Sequence, residues 1–270
     1  MTEVSKTPRQ RWLDCAFLSV GLRPMFLAAA LWAVLAMCLW VAMLSGFLDL
    51  PTRFDPISWH SHEFLFGYLS AVIAGFLLTA VPNWTGRPAL AGWKLAALVD
   101  LWVLGRLATM FSSVLPLWMG AAADIAFLVL LWFVVLREIM AGKNWRNAPV
   151  LILIGLLILA NAIFHWEASL GKFAAQGIGL RLGLSAILAL IAMIGGRIIP
   201  AFTRNWLVKQ GAKKLPVQPM QGFDKITLLA TGPALLSWTF APENPVTAMA
   251  LILIAVMHIY RLFRWQGQYT

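Results

Sequence analysis

Cysteine is scarce in this chain of 270 residues, which holds only two. Cys15 precedes the first long apolar run and Cys38 lies inside it, so they form neither a CxxC motif nor a cysteine–histidine spacing of the kind that binds zinc. We therefore expect no disulfide bond and no thiolate-bound metal. A metal centre would have to depend on histidine, of which the chain has four.

Charged residues are also few, at 12% of the chain, whereas 61% of the residues are hydrophobic and the mean hydropathy is +0.79. Soluble domains carry about 25% charged residues, so this composition indicates an integral membrane protein. The apolar runs are continuous, unlike the alternating segments of about 10 residues in outer-membrane barrels. We predict an all-α fold, a polytopic bundle of transmembrane helices, because helices satisfy their own backbone polar groups in lipid.

About eight spans are predicted, most with roughly the 20 apolar residues needed to cross the bilayer. They lie at residues 25–47, 62–82, 92–112, 115–136, 148–166, 177–200, 226–240 and 246–262. The transmembrane bundle thus occupies residues 25–265. Residues 1–24, with an amphipathic patch around Trp12 and Phe17, are predicted to anchor the chain in the membrane interface. Residues 201–225 are predicted to form a polar cytoplasmic loop.

The formal net charge of +10 would suggest nucleic acid as a partner of a soluble protein, but here the basic residues lie mostly between the apolar runs. They are concentrated before the first span and in the second, fourth and sixth connections. Basic connections stay on the cytoplasmic side, so both termini are predicted to be cytoplasmic, with the lipid bilayer and no nucleic acid as partner. Three histidines then fall at the outer, periplasmic end of the bundle: His60, His62 and His165.

Two of these histidines stand in the stretch WHSHEFLFGY, where a polar segment becomes a long apolar one. Residues two apart on a helix point about 200° from each other, so His60 and His62 share no helical face. A non-helical first turn would still allow both imidazoles to reach one centre. The two histidines therefore serve either one centre or two.

Glu63 and Asn161 are predicted to support the histidines. Glu63 can accept a hydrogen bond from an imidazole N–H and so fix its tautomer, and Asn161 lies one turn before His165. Because imidazole suits haem iron, copper and zinc, we predict metal ligation by His60, His62 and His165. The alternative is that these histidines are only solvated or hydrogen-bonded.

Ionisable residues inside the spans form a second candidate site: Asp100, Arg106, Asp124 and Arg181. Such residues are costly in hydrocarbon and normally face a partner or a cavity. We expect an ion pair between Arg106 and Asp124, which lie on neighbouring antiparallel helices. The alternative is that Arg106 and Arg181 bind the propionates of a haem near the outer face.

Three motifs, WHSHEFLFGY, AVPNWTGRP and GGRIIPAFTRN, occur in this order and together resemble the NnrS family of bacterial membrane proteins. The resemblance implies a multi-pass inner-membrane protein that contains haem and copper and acts in nitric oxide metabolism or nitrosative-stress resistance. It adds supporting residues in the second and third motifs: Asn83, Arg87, Arg197, Arg204 and Asn205. A helix end with small residues for packing and basic residues for lipid headgroups would also explain the third motif.

The resemblance also implies further helices, with a histidine-bearing segment, so this chain is expected to be a short or truncated member. Whether it is an enzyme is left open. One alternative function is a transporter or exporter whose polar pathway is lined by Asp100, Arg106, Asp124 and Arg181, although the spans lack glycine- and proline-broken helices in matched halves. Another is a membrane scaffold that partners a respiratory or denitrification metalloenzyme.

Overall fold

The structure is a computed structural model that describes residues 16–212 and 215–269. Within these ranges all regular secondary structure is helical, which confirms the all-α prediction. Eight long helices follow one another: α1 Leu22–Leu44, α2 Pro56–Thr85, α3 Trp93–Met110, α4 Leu117–Ala141, α5 Ala148–Ser169, α6 Ile178–Lys209, α7 Gly222–Phe240 and α8 Pro245–Arg264. The predicted interfacial anchor lies mostly outside the described residues, since residues 1–15 and with them Cys15 are not among them.

Six of these helices are long and apolar enough to cross a membrane. Of the other two, α3 carries Lys94, Asp100 and Arg106 within its 18 residues. Helix α7 is interspersed with glycine, threonine, serine and proline. The structure thus confirms a helical membrane protein, while the count of eight crossings and the cytoplasmic location of both termini stay predictions.

Helix α6 extends further than predicted. It continues through Pro200 to Lys209, because a proline removes only one backbone hydrogen bond and membrane helices accommodate this loss. The predicted loop 201–225 is therefore shortened to residues 210–221. Lys213 and Lys214, which contributed to its predicted basic character, lie outside the described residues.

Large apolar side chains cover the outside of the helices. On α1, Leu31 is 63% and Val34 is 66% exposed, and Ile152 on α5 is 64% exposed. Such continuous apolar exposure is unfavourable in water but fits a lipid surrounding.

The chain forms two compact units, Met1–Gly183 and Leu184–Thr270. In the first unit α4 is central and packs against α2, α3 and α5. Close approach of α3 and α4 depends on Gly105, where a Cβ atom would lie 3.1 Å from the Asp124 Cα. This packing places Asp124 in the interior of the first unit.

In the second unit α7 packs against α8, and a buried arginine ties both to α6. Arg261 donates from Nε to Asp224 Oδ1 and from Nη1 to the carbonyl oxygen of Ala192, each at 3.0 Å. The guanidinium lies directly against Gly196, where a side chain would collide with it. The second glycine of GGRIIPAFTRN therefore has a packing role.

Candidate metal centre

Helix α2 contains a π-helical turn at Glu63–Tyr68, in which the backbone N–H of Leu69 donates to Phe64, five residues back. Such wide turns occur often at functional sites. The turn brings Gly67 against α3, and a Cβ atom there would lie 2.7 Å from Glu63 Oε2 and would overlap the Arg106 guanidinium. Trp102 of α3 also donates from Nε1 to the Gly67 carbonyl at 3.0 Å. Glycine at this position therefore permits the close approach of α3.

Three side chains from α2, α4 and α5 converge just beside this turn: His62, Asp124 and His165. The Nε2 atoms of His62 and His165 lie 3.1 Å and 3.0 Å from Asp124 Oδ2. One ligand atom from each residue lies within 4.8 Å of the other two. All three residues are buried: the side chains of His62 and Asp124 are 0% exposed and that of His165 is 9% exposed.

Asn161 completes this group, although its contacts differ from the predicted support of His165. Its Oδ1 lies 3.0 Å from His62 Nε2, and its Nδ2 donates to Asp124 Oδ2 at 2.8 Å. Asn161 thus fixes the relative positions of His62 and Asp124.

Phenylalanine rings surround the two imidazoles. The ring of Phe54 lies 5.2 Å from that of His62 and 5.5 Å from that of His165, between centroids. Phe66 and Phe164 lie 5.2 Å and 5.3 Å from the His62 ring. These apolar walls exclude water, so charge interactions within the group are stronger than at a surface.

The predicted ion pair between Arg106 and Asp124 is present and belongs to a longer chain of contacts. Arg106 Nη2 contacts Asp124 Oδ1, while Nη1 donates to Glu63 Oε2 at 2.6 Å. Trp32 of α1 donates from Nε1 to the same Glu63 oxygen at 2.9 Å. Arg106 is 2% exposed, so its guanidinium is committed to two carboxylates and is not open to a haem propionate.

His62 lies between acceptors on both edges of its ring. Nε2 faces Asp124 Oδ2 and Asn161 Oδ1, and Nδ1 lies 3.5 Å from Glu63 Oε1. Among the residues that the structure describes, neither His62 Nδ1 nor Glu63 Oε1 has a hydrogen-bond partner. A neutral imidazole carries a single N–H and cannot satisfy both edges. The group is therefore complete only with an added cation, either a second proton on His62 or a metal ion at Nε2.

His60 lies apart from this group. Its ring stacks on Trp40 with centroids 3.9 Å apart and planes 16° from parallel. The first turn of α2 is helical from Pro56, because Asp55 Oδ1 accepts from the backbone N–H groups of Ile57 and Ser58. The two histidines consequently point in different directions, and the structure does not join His60 to His62 and His165.

Comparison with known proteins decides the family. A family model described as NnrS protein matches residues 16–270. The chain belongs to the NnrS family. Neither the curated proteins nor the solved structures include a match.

The donor set of this NnrS chain suits a transition-metal ion. Two imidazole nitrogens and one carboxylate oxygen are ligands that copper, zinc and iron accept. Glu63 lies beside the other nitrogen of His62, where a carboxylate commonly orients a metal-bound histidine. The unsatisfied pair of His62 Nδ1 and Glu63 Oε1 would be satisfied once a metal replaced the proton at Nε2.

The same residues do not fit haem. Asp124 and Asn161 fill the space between the two imidazoles, each within hydrogen-bond distance of His62. The cleft that borders His165 measures about 10 Å³, which is room for about one water molecule. A porphyrin cannot enter between these side chains in this arrangement.

The other predicted residues of the NnrS chain lie elsewhere. Asn83 donates to the Thr79 carbonyl, and Arg87 binds Glu138, both at the opposite end of α2 from His62. In the first unit Arg181 donates from Nη1 to the Gln176 carbonyl at 2.5 Å. In the second unit the predicted residues belong to α6: Arg197, Arg204, which donates to the Pro216 carbonyl at 3.2 Å, and Asn205.

The four charges of the predicted polar pathway are not arranged as one pathway within the first unit. Arg106 and Asp124 are buried and paired, whereas Asp100 is exposed on α3. The sequence predictions placed Asp124 in an ion pair with Arg106 or in a polar pathway and did not include it among the candidate metal ligands. Its position, at the same level of the bundle as Asn161 and His165, was the available signal.

Proposed function

We propose that this chain is an inner-membrane metalloprotein that binds one copper ion between His62, Asp124 and His165, near the periplasmic end of the bundle, and acts in nitric oxide metabolism or nitrosative-stress resistance. The observation that carries the proposal is the convergence of two imidazole Nε2 atoms on one buried carboxylate oxygen. Membership of the NnrS family supports the choice of copper and of nitric oxide.

The charges of the buried group support a bound cation. Glu63 and Asp124 contribute two negative charges and Arg106 one positive charge, which leaves one negative charge when both histidines are neutral. A cuprous ion would neutralise this group without protonating His62. Because buried uncompensated charge is strongly unfavourable, the group requires one added positive charge, which copper would supply in place of a proton on His62.

A bound copper ion would supply a one-electron centre with a coordination position for a small ligand such as nitric oxide. The residues of the chain have distinct tasks around it. His62 and His165 bind, Arg106 and Asn161 hold Asp124 in place, and the phenylalanine walls exclude water. Since haem does not fit between these side chains, we propose none at this centre.

Metal analysis of purified protein tests the binding proposal. We expect wild type in detergent to contain close to one copper per chain, and His62→Ala and His165→Ala to lose it. Glu63→Gln should weaken copper binding by about 10- to 100-fold, as is typical for partners of a metal-bound histidine. His60→Ala is the matched control, because this histidine stands on the same helix outside the group, and it should retain copper.

The binding proposal fails if the His62→Ala/His165→Ala double variant retains full copper, or if wild type grown with copper contains none. A haem absorption band that disappears in the double variant would contradict the exclusion of haem from this centre.

Nitric oxide consumption by membranes, followed with an electrode, tests the role. We expect consumption to fall in the double variant and to persist in His60→Ala. Equal consumption by the copper-free double variant and wild type would exclude the centre from that reaction. Partnership with a respiratory or denitrification metalloenzyme stays a prediction, which copurification tests.

A further inference from the structure

A cavity with basic residues in its wall lies at the opposite ends of α2 and α4 from the metal centre. It has a volume of about 360 Å³, within the range of about 300–1,000 Å³ typical of small-molecule sites. Three segments form its walls: the turn after α2, the start of α3 and the end of α4. The residues that carry its polar groups are Arg87, Trp93, Lys94, Arg137 and Glu138.

The cavity is strongly positive. Arg87, Lys94 and Arg137 contribute three positive charges and Glu138 one negative charge, so the net charge is +2. Glu138 Oε2 accepts from Arg87 Nε at 2.6 Å, and Oε1 accepts from Arg137 Nε at 2.9 Å and Nη2 at 2.5 Å. The side chain of Glu138 is only 11% exposed, whereas those of Arg87 and Arg137 are 42% and 59% exposed. Glu138 therefore holds two accessible guanidinium groups side by side.

Several donors remain available for an anion. Arg87 uses only Nε for Glu138, and in the described part of the chain its Nη atoms donate to no protein acceptor. Lys94 Nζ lies over the Trp93 ring at 5.9 Å and forms no ion pair with another described residue. Helix α3 begins at this wall with no side-chain cap at Gly92, so the start of its dipole adds to the positive potential. Convergent donors of this kind match the oxygens of a phosphate group.

An apolar crevice of about 20 Å³, which is room for about one water molecule, continues from the cavity along α2 and α4. It is bordered by Leu77, Val81 and Pro82 of α2 and by Val134 and Val135 of α4, and it shares three lining residues with the cavity: Pro88, Leu90 and Glu138. This crevice is too small for an acyl chain. The chains of a phospholipid would instead lie against the exposed apolar surface at this end of α4, where Phe133 and Met140 are 55% and 53% exposed.

We propose that the Arg87–Lys94–Arg137 cavity binds the phosphate of an anionic phospholipid, with Glu138 as the residue that positions both arginines. Basic pockets between transmembrane helices bind such headgroups. Trp93, which is 55% exposed, lies at the rim as interfacial tryptophans do.

The experiment titrates full-length protein in a neutral detergent with short-chain phosphatidylglycerol, phosphatidylcholine or inorganic phosphate at constant ionic strength, and follows the unfolding temperature. Phosphatidylglycerol should raise it and phosphatidylcholine should not. Lys94→Gln and Arg137→Gln should each shift the midpoint of the titration to about fivefold higher lipid, the usual effect of one basic residue. Arg146→Gln, which removes an exposed charge outside the cavity, should behave as wild type.

Lys94→Gln is the decisive variant, because Lys94 donates to no acceptor in the described part of the chain and its removal should leave the helical circular dichroism unchanged. If inorganic phosphate reproduces the stabilisation with the same dependence on Lys94, the ligand is a free phosphate and the lipid assignment is wrong. Equal responses of Lys94→Gln and Arg146→Gln, or equal effects of the two lipids, would overturn the site itself.

Discussion

Helix α4 carries two carboxylates with opposite surroundings. Asp124 lies near one end and Glu138 near the other, 14 residues further on, which is roughly 21 Å along a helix at about 1.5 Å per residue. At the first end one arginine, Arg106, bridges two carboxylates in a closed interior. At the second end two arginines share one carboxylate beside an open cavity.

One arginine with two carboxylates forms the first cluster, and two arginines with one carboxylate form the second. This difference in charge balance makes the two clusters favour ligands of opposite charge. The Asp124 end has an excess of negative charge and two imidazoles, so it favours a cation. The Glu138 end has an excess of positive charge and accessible donors, so it favours an anion. Burial adds to the contrast, because charges in a dry interior interact far more strongly than charges next to water.

Removal of the two carboxylates should give the largest contrast. Asp124→Ala leaves Arg106 and His62 without their shared partner inside the unit, and loss of one partner of a buried pair costs about 3–5 kcal/mol. Glu138→Ala should cost about 0–1 kcal/mol, since its arginines remain hydrated. Denaturant unfolding in detergent, followed by circular dichroism, measures both values. Similar losses in the two variants would remove the distinction between closed and open clusters.

Gly67→Ala should be the next largest change. The added methyl group would collide with Arg106 and Glu63, and overpacking of this kind costs about 1–3 kcal/mol. We also expect reduced copper content, because Arg106 holds Asp124. Gly155→Ala is the matched control: its Cβ would find only Trp132 Nε1 at 3.8 Å, so it should be neutral or stabilising by up to about 1 kcal/mol. Equal unfolding of the two variants would show that Gly67 is not needed for close approach.

A high salt concentration should affect ligand binding at the Glu138 end of α4 and not at the Asp124 end, without any substitution. At about 1 M salt the screening length falls to about 3 Å, so the stabilisation by phosphatidylglycerol should largely disappear. The copper content should not change, because the group around Asp124 is shielded from ions by its burial. Retention of the lipid effect at high salt would argue that apolar contacts, rather than the charges, bind the lipid.

Asp100→Asn should give the smallest effect. Asp100 is exposed on α3 and belongs to neither cluster, so unfolding free energy should change by no more than about 0.5 kcal/mol and copper content should stay constant. Solute flux in liposomes that required Asp100 would instead support the transporter alternative.

Much of the fold could be predicted from the sequence, because a chain in lipid must form helices whose outer side chains are apolar. Continuous apolar runs predicted the ends of the helices to within five residues, except at the start of α2, which lies six residues earlier than predicted, and at the end of α6, which lies nine residues later. The Arg106–Asp124 pair could also be predicted, since a short connection forces α3 and α4 to be antiparallel neighbours and hydrocarbon forces charges to pair.

The composition of the metal centre was less accessible. Helical periodicity predicts that His60 and His62 point in different directions, but it applies only where the first turn is helical. Whether that turn is helical depended on the cap at Asp55. The contacts of Glu63 with Arg106 and Trp32 form at the π-helical turn. No pattern in the sequence predicted this turn. Asn161 was placed near the site, but which neighbours it would bind depended on side-chain packing.

The π-helical turn at Glu63–Tyr68 has a further consequence for how α2 can evolve. It accommodates one residue more than an α-helix of the same length, and each residue of an α-helix turns the chain by about 100°. Deletion of a single residue there would close the turn into a regular α-helix with little rotation of either end, so His62 and the far end of α2 would both keep their positions. The extra residue is confined to the segment around Gly67 that contacts Arg106 and Trp102. The length of that segment can therefore change while both ends of the helix keep their partners.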